Sequence, residues 1–207
     1  CGAPELNELG YFKVGPAQIA GKHVRAARLS YVGEAGWEIT MKAKNAATIY
    51  KALATVGAKP AGLYAQTSMR IEKGFCAMGH ELDSDVTPID TGLDFATRKV
   101  GGFIGAEALA ERRKKGGSSS LVSLKFHDET AIPLGHEPIY YDGKIIGKIS
   151  SSAFGYRIGR PVALGMVHHQ TTSEIVVQVD IARQFFDATL FTRSLYDPEG
   201  ARMKSYE

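Results

Sequence analysis

The stretch Tyr31-Val32-Gly33-Glu34-Ala35-Gly36-Trp37-Glu38 sets two carboxylates about a glycine-bounded turn. Alternation along the strand that follows sends Trp37 and Ile39 to one face and Glu38 and Thr40 to the other. If the tryptophan face is the core, Glu38 stands outward. An ionised carboxylate held there accepts two parallel hydrogen bonds from a flat amidine-like edge. The 2-aminopyrimidinone edge of a pterin, an N–H beside an exocyclic NH₂, presents such a donor pair. An exposed glutamate paired with a lysine fits the same pattern, and the residue types leave both readings open.

Other reactive residues group less well. Cys76 has no base beside it and reads as a small packed side chain. It and Cys1 are the two cysteines of the chain, too few and too far apart for a disulfide framework or a zinc site, which points to a reducing compartment. His168 and His169 are adjacent and would face opposite sides of a strand. His23, His80, His127 and His136 lack partners at ligand spacing, and the acidic run 80–85 lacks the central glycine of a calcium loop. No metal site is expected. Dinucleotide, phosphate-loop and nucleophile-elbow motifs do not occur.

The elements that must position these residues change character along the chain. Residues 23–32 and 37–41 alternate about the glycine turn and read as a β-hairpin. Asn45 is placed to cap a helix with Ala46, Ile49, Tyr50 and Leu53 on one face, closed by Gly57. A second helix is expected over about 62–73, and a third over 103–115. That helix ends in Arg112-Arg113-Lys114-Lys115, a solvated end running into a flexible Gly/Ser linker at 116–120. Six strand-like runs follow, at 121–126, 137–141, 144–150, 162–168, 175–179 and 185–192. Asp142-Gly143 supplies a type I′ turn between two of them. The order predicts an α+β module over 1–100 followed by a small antiparallel β-barrel over 101–207.

Composition narrows the class further. The chain has 207 residues, is 44% hydrophobic and carries a net charge of +3. That is a chain able to bury a core, and too weakly basic to indicate a nucleic-acid partner. Phe154, Tyr156, Arg157 and Arg160 cluster, but Gly155 and Gly159 make them a turn rather than a stacking platform. No apolar run approaches the ~20 residues of a membrane helix. The first residue is Cys and no signal-peptide layout follows it, so the chain reads as cut from something longer.

One ordered set of motifs says more. Tyr31-Val32-Gly33-Glu34-Ala35-Gly36-Trp37-Glu38 resembles the Y-x-G-E-x-G-x-E signature of the glycine cleavage T-protein family. Gly62-Leu63-Tyr64-Ala65, running on to Met69-Arg70-Ile71-Glu72-Lys73-Gly74, resembles the family's G-L-x-A-x-x-x-L-R-x-E-x-G helix. Gly79-His80-Glu81-Leu82-Asp83 with Thr87-Pro88, Phe103-Ile104-Gly105 with Ala108-Leu109, and the barrel segments 143–151 and 163–167 follow in family order. Within the family, the wording of the Arg70 helix and Tyr196-Asp197-Pro198 look most like the C-terminal folate-binding region of dimethylglycine and sarcosine dehydrogenases.

The resemblance implies a ferredoxin-like folate-binding module, partly present, ahead of the barrel. It implies tetrahydrofolate as cofactor, capturing a methylene group from a small N-methyl or aminomethyl amine, with FAD confined to a domain upstream. Glu38 matches the glutamate that holds the pterin edge, and Tyr31 is expected to line that pocket. Tyr196 matches an aromatic that closes over the folate. Arg70 is either a ligand contact or the partner of a helix or loop carboxylate.

The resemblance departs at Gln66, where T-proteins carry an arginine; it fits the dehydrogenase branch better, where this position is also uncharged. The family's catalytic Asp lies upstream of the Glu38 hairpin, where this chain offers only Glu5 and Glu8, so no catalytic residue is assigned within it. The fragment alone is expected to be inactive. The first module is expected to expose an apolar face or to pair with the rest of its parent or with a separate chain. A stand-alone aminomethyltransferase and a non-catalytic family member are the alternatives. In the latter, Lys73-Gly74-Phe75-Cys76 places the cysteine one residue late. The compartment implied is the bacterial cytoplasm or the mitochondrial matrix.

Overall fold

The computed structural model describes residues 3–168 and 174–205. Cys1 and His169 lie outside the described residues. The chain forms two compact units, one running to Gln66 and taking in the C-terminal stretch from Glu199, the other spanning Thr67–Pro198.

The first unit begins with a short helix α1 (Glu5–Glu8), then β1 (Val14–Ile19), β2 (Lys22–Ala27) and β3 (Glu38–Thr40), which form an antiparallel sheet in the order β1-β2-β3. Ala20 and Gly21 both take positive φ, 50° and 69°, and make the tight β1–β2 turn, matching the twist of the strands it joins. Ala17, Ile19, Val24 and Ala26 bury one face of the sheet. Against it packs Ile49 of helix α2 (Ala46–Thr55), with Trp37, Ile39 and Leu53 partly buried around them.

Two local expectations differ here. The strand expected to run to Val32 stops at Ala27, and residues 28–37 are a loop. Asn45 closes a 3₁₀ turn instead of capping α2. Its φ of −95° and ψ of −11° lie in the helical region, whereas a side-chain cap needs extended geometry. Phe12, Val14, Tyr50, Val56, Leu63 and Tyr64 of this unit are exposed, Tyr64 to 94%.

Helix α3 (Leu63–Glu72) spans the boundary at Gln66. In the second unit its later turns lay Ile71 against Val162 and Leu164. Helix α4 (Ala106–Lys115) follows, then a closed barrel of β4 (Ser120–Phe126), β5 (Pro138–Tyr141), β6 (Lys144–Gly155), β7 (Arg160–Val167), β8 (Ile175–Ile181) and β9 (Gln184–Phe191). The strand order is β4-β7-β6-β5-β8-β9, closed by β9 on β4, with all pairs antiparallel. Asp142 and Gly143, at φ 48° and 72°, make the β5–β6 turn as a type I′ pair requires. Val122, Leu124, Ile139, Ile149, Val179 and Leu190 fill the interior. β7 is buried along both faces because Val162 and Leu164 meet α3 on the outside.

The Gly/Ser tract is not a flexible linker. The buried Asp90 carboxylate accepts the N–H groups of Ser118 and Ser119 at 2.9 and 3.2 Å, and Arg112 lies 3.3 Å away. Burial pushes this carboxyl up, but the Thr87 hydroxyl and N–H, the Ser119 N–H and Arg112 outweigh it and hold it at about 2. Arg113 bonds Asp94 through Nε and Nη2 at 2.9 and 2.7 Å. Three of the four basic residues therefore have acidic partners: Lys114 meets Glu111 one turn back on the helix, and Arg112 and Arg113 meet Asp90 and Asp94, which only the folded chain brings near.

Candidate functional site

Arg28 occupies the third inward position after Val24 and Ala26, and is only 1% exposed. Its guanidinium lies 4.3 Å from the centroid of the Trp37 ring, and its Nη2 donates to the Ser205 carbonyl at 2.7 Å. Trp37 Nε1 donates to the Leu6 carbonyl at 3.3 Å. Residues 29–36 are thus a loop whose two ends are stacked on each other. Inside it the Ser30 hydroxyl oxygen accepts the N–H groups of Val32 and Gly33 at 3.4 and 3.0 Å.

Of the two glycines of the motif, Gly33 is a backbone requirement and Gly36 sits close to a neighbouring carbonyl. Gly33 has φ 82°, a conformation that costs an L-residue about 1–2 kcal/mol. A Cβ at Gly36 would stand 3.2 Å from the Leu29 carbonyl oxygen. The loop delivers two carboxylates with different fates. Glu34 pairs with Arg202 at 2.8 Å. Glu38 opens β3 opposite Ala27 on the outer strand of the sheet, exposed beside the half-buried Ile39. Among the described residues its carboxylate enters no hydrogen bond or ion pair. Tyr31, 36% exposed, lies on the same loop.

Arg70 and Tyr196 belong to the second unit. Arg70 is 3% exposed. It donates through Nη1 to Glu81 Oε2 at 2.8 Å and to the Phe75 carbonyl at 3.1 Å, and through Nη2 to the Ser151 hydroxyl at 2.8 Å. Of its two sequence readings, the geometry fills the ion pair with a loop carboxylate. Glu81 also accepts Ala77 N–H at 2.9 Å and the Ser150 hydroxyl at 2.7 Å. Burial pushes its carboxyl up, but the hydroxyls of Ser151 and Ser150, Ala77 N–H and Arg70 outweigh that and hold it below the ordinary value.

Tyr196 is half-buried with its ring 3.8 Å from the Arg157 guanidinium carbon, and its N–H donates to the Glu72 carbonyl at 3.0 Å. Glu72, fully buried, accepts the N–H groups of Arg157 and Ile158 at 2.7 and 3.1 Å and pairs with Arg157 Nε. The 156–159 cluster is therefore the β6–β7 turn, tied to α3. Lys73 donates to the Asp197 carbonyl and lies 3.3 Å from its carboxylate.

Cys76 lines a cavity of about 480 Å³ with Phe75, Leu93, Phe95, Leu121 and Ser123. Burial pushes its thiol up, the Glu81 charge adds to that, and Arg70 offsets part, leaving it at about 11. The thiolate is the reactive form. Cys76 in the native protein should therefore alkylate with iodoacetamide at neutral pH on the order of a hundredfold more slowly than after unfolding. Peptide-resolved mass spectrometry measures it apart from Cys1, and equal rates would remove the buried environment as the cause. Among the described residues no group of three or more His, Cys, Asp or Glu side chains is arranged to hold a metal ion, and no helix is long and apolar enough to cross a membrane.

Sequence reading missed Arg28 and its tie to Ser205. The signal was present: an arginine continuing the inward parity of Val24 and Ala26. Nothing in the sequence marked Ser205 as its partner, since they are 177 residues apart.

The family model described as GCVT N-terminal domain matches residues 3–100, and that of the glycine cleavage T-protein C-terminal barrel domain matches residues 120–197. Among curated relatives, the mitochondrial dimethylglycine dehydrogenase of Mus musculus is 33% identical over 189 residues, covering 87% of this chain and 22% of that protein. An aminomethyltransferase of Moorella thermoacetica is 34% identical over 174 residues, covering 82% of this chain and 47% of that protein. The crystal structure of glycine cleavage system aminomethyltransferase T from Bartonella henselae superposes with a TM-score of 0.81 at 29% identity, over 93% of this chain and 54% of that one. The chain thus spans about half the length of the aminomethyltransferases and about a fifth of the dehydrogenase. Two domain matches in sequence order, and a solved relative with the same course of chain, lead to one conclusion: the chain belongs to the glycine cleavage T-protein family.

Proposed function

We propose that the chain is the C-terminal part of a tetrahydrofolate-dependent one-carbon transfer enzyme that captures a methylene group from an N-methyl or aminomethyl donor, as dimethylglycine or sarcosine dehydrogenases would require. The carrying observation is the division of labour between the two carboxylates of the closed loop. Glu34 is engaged by Arg202, while Glu38 stands on the outer strand with its acceptors open. An acceptor-only carboxylate suits the N–H and NH₂ edge of a reduced pterin, so the donor set fits the group.

Glu38 would hold that edge, with Tyr31 beside it on the loop. The reduced folate, when bound, supplies the amine nitrogen that takes up the methylene unit. This chain's share of the work is to bind and orient, which fixes the reacting partners before chemistry begins. Tyr196 is proposed as an aromatic contact on the resemblance alone.

Calorimetric titration with tetrahydrofolate tests the reading, with p-aminobenzoylglutamate, which lacks the pterin edge, as the comparison. Saturable binding of the first and none of the second is expected. Equal binding, or none of either to the full-length parent, would sink it. A stand-alone aminomethyltransferase is the second reading, favoured by the 34% identity to the Moorella thermoacetica protein. The reading frame upstream of Cys1 separates the two, because a flavin-binding domain belongs only to the dehydrogenase reading.

A further inference from the structure

Residues 202, 203 and 205 each reach the loop that carries Tyr31 and leads into Glu38, or the base of that loop. We propose that the C-terminal segment 199–205 is a clamp on this loop, acting through Arg28 as a positioning residue for the ligand held at Glu38. The ligand half of this proposal rests on the folate reading above.

Arg28 is a buried cation, and burying a charge is costly unless its donors find partners. The Ser205 carbonyl takes Nη2 and the Trp37 ring lies beneath the guanidinium. Trp37 is covalently next to Glu38. With one face on Arg28 and its Nε1 donated to Leu6, its ring fixes where β3 begins and therefore where Glu38 points.

Two further contacts tie the same segment down. Arg202 pairs with Glu34 within the loop, and the Tyr11 hydroxyl lies 3.6 Å from Met203 Sδ. Tyr11 precedes Phe12, whose N–H donates to the Arg28 carbonyl at 3.0 Å, so the contact reaches the loop base. Of the three, the Arg202 pair is largely exposed and contributes little. The buried Arg28–Ser205 bond carries the effect.

The short helix α5 (Ala201–Lys204) has four residues, too few to be stable by itself in water. Its order and the order of the loop are therefore coupled through these contacts. A loosened loop makes the ligand bear the ordering cost on binding, and affinity falls accordingly.

Three changes in the full chain test this: Arg28→Lys, removal of residues 199–207, and Arg202→Ala. Lys51→Ala, exposed on α2, is the control. The readouts are amide hydrogen exchange over residues 29–37, fluorescence of Trp37, the chain's single tryptophan, and tetrahydrofolate affinity. The truncation and Arg28→Lys should each speed loop exchange by about tenfold or more, shift the emission, and weaken folate by about tenfold. Arg202→Ala should change each by less than about threefold, and Lys51→Ala by nothing measurable.

If Arg28 were merely architectural, Arg28→Lys would lower the unfolding midpoint while loop exchange and folate affinity of the folded protein stayed put. That result overturns the proposal. If Arg28→Lys fails to fold, the truncation, which leaves Arg28 in place, still answers, and wild-type exchange and emission there overturn the clamp. Should the unaltered parent bind no tetrahydrofolate, the folate reading fails while exchange and emission still decide the clamp.

Discussion

Glu38→Gln should weaken tetrahydrofolate binding by about 10- to 100-fold, the loss expected when a charge-assisted pair of hydrogen bonds becomes one good bond and one donor facing a donor. The side chain keeps its size, and the carboxylate it replaces has no partner among the described residues. The thermal midpoint should therefore stay within the scatter of ordinary surface substitutions. Calorimetry gives the first quantity and a melting scan the second. Glu34→Gln is the informative companion, because Glu34 is engaged by Arg202 and should cost much less affinity. If both variants bind alike, the assignment of Glu38 is wrong. If Glu38→Gln loses affinity only by unfolding, the melting scan reveals it.

The second large effect is on stability and lies in the second unit. Arg70→Met leaves the Glu81 carboxylate buried with its hydroxyl and N–H donors but without its cation, a change that costs about 3–5 kcal/mol. Against a total of about 5–15 kcal/mol for a domain, that is a large fraction. Urea denaturation should show a much lower midpoint for Arg70→Met and partial recovery in Arg70→Met/Glu81→Leu, where neither charge remains. A double variant no better than the single one would mean the pair is not the unit of stability.

The same network sets a pH dependence. The folded Glu81 carboxyl sits below its ordinary value, so acidification protonates the unfolded chain first. Its contribution is complete above the ordinary glutamate range and is lost as pH falls through the folded value. Asp90, held at about 2, acts in the same direction, so stability of this unit should drop between about pH 4 and about 2. In Glu81→Gln the wild-type slope over that range should be shallower.

Much of the site was legible because it rests on backbone rules. Gly33 stands where a positive φ demands glycine and Gly36 where a close carbonyl favours it, and their spacing marks the loop without any structure. Alternation placed Ile39 inward and Glu38 outward, as the burial of β3 shows. The barrel was legible for the same reason, since six alternating runs with Asp142-Gly143 between two of them leave few ways to bury their apolar faces. Less legible was where β2 ends. The alternation runs on past Ala27 to Arg28, and only the Trp37 stack and the Ser205 carbonyl turn that position into the base of a loop.

Charged partners were the part hidden from sequence. Arg70 looked at least as able to pair with a carboxylate as to meet a ligand, and in the fold its donors meet Glu81 and Ser151. The 116–120 tract has a linker's composition, yet Asp90 accepts its backbone N–H groups and fixes it. Both outcomes depend on pairs far apart in the chain, Arg70–Ser151 and Asp90–Ser118 among them, and no local periodicity encodes such meetings. By itself the sequence determined the family signature, the order of elements and which carboxylate faces outward, because those follow from φ, parity and turn chemistry of neighbouring residues. Only the tertiary structure decided which charges are used up inside the fold and which stay open at its surface. The burial and hydrogen bonding that settle this come from residues brought together by folding.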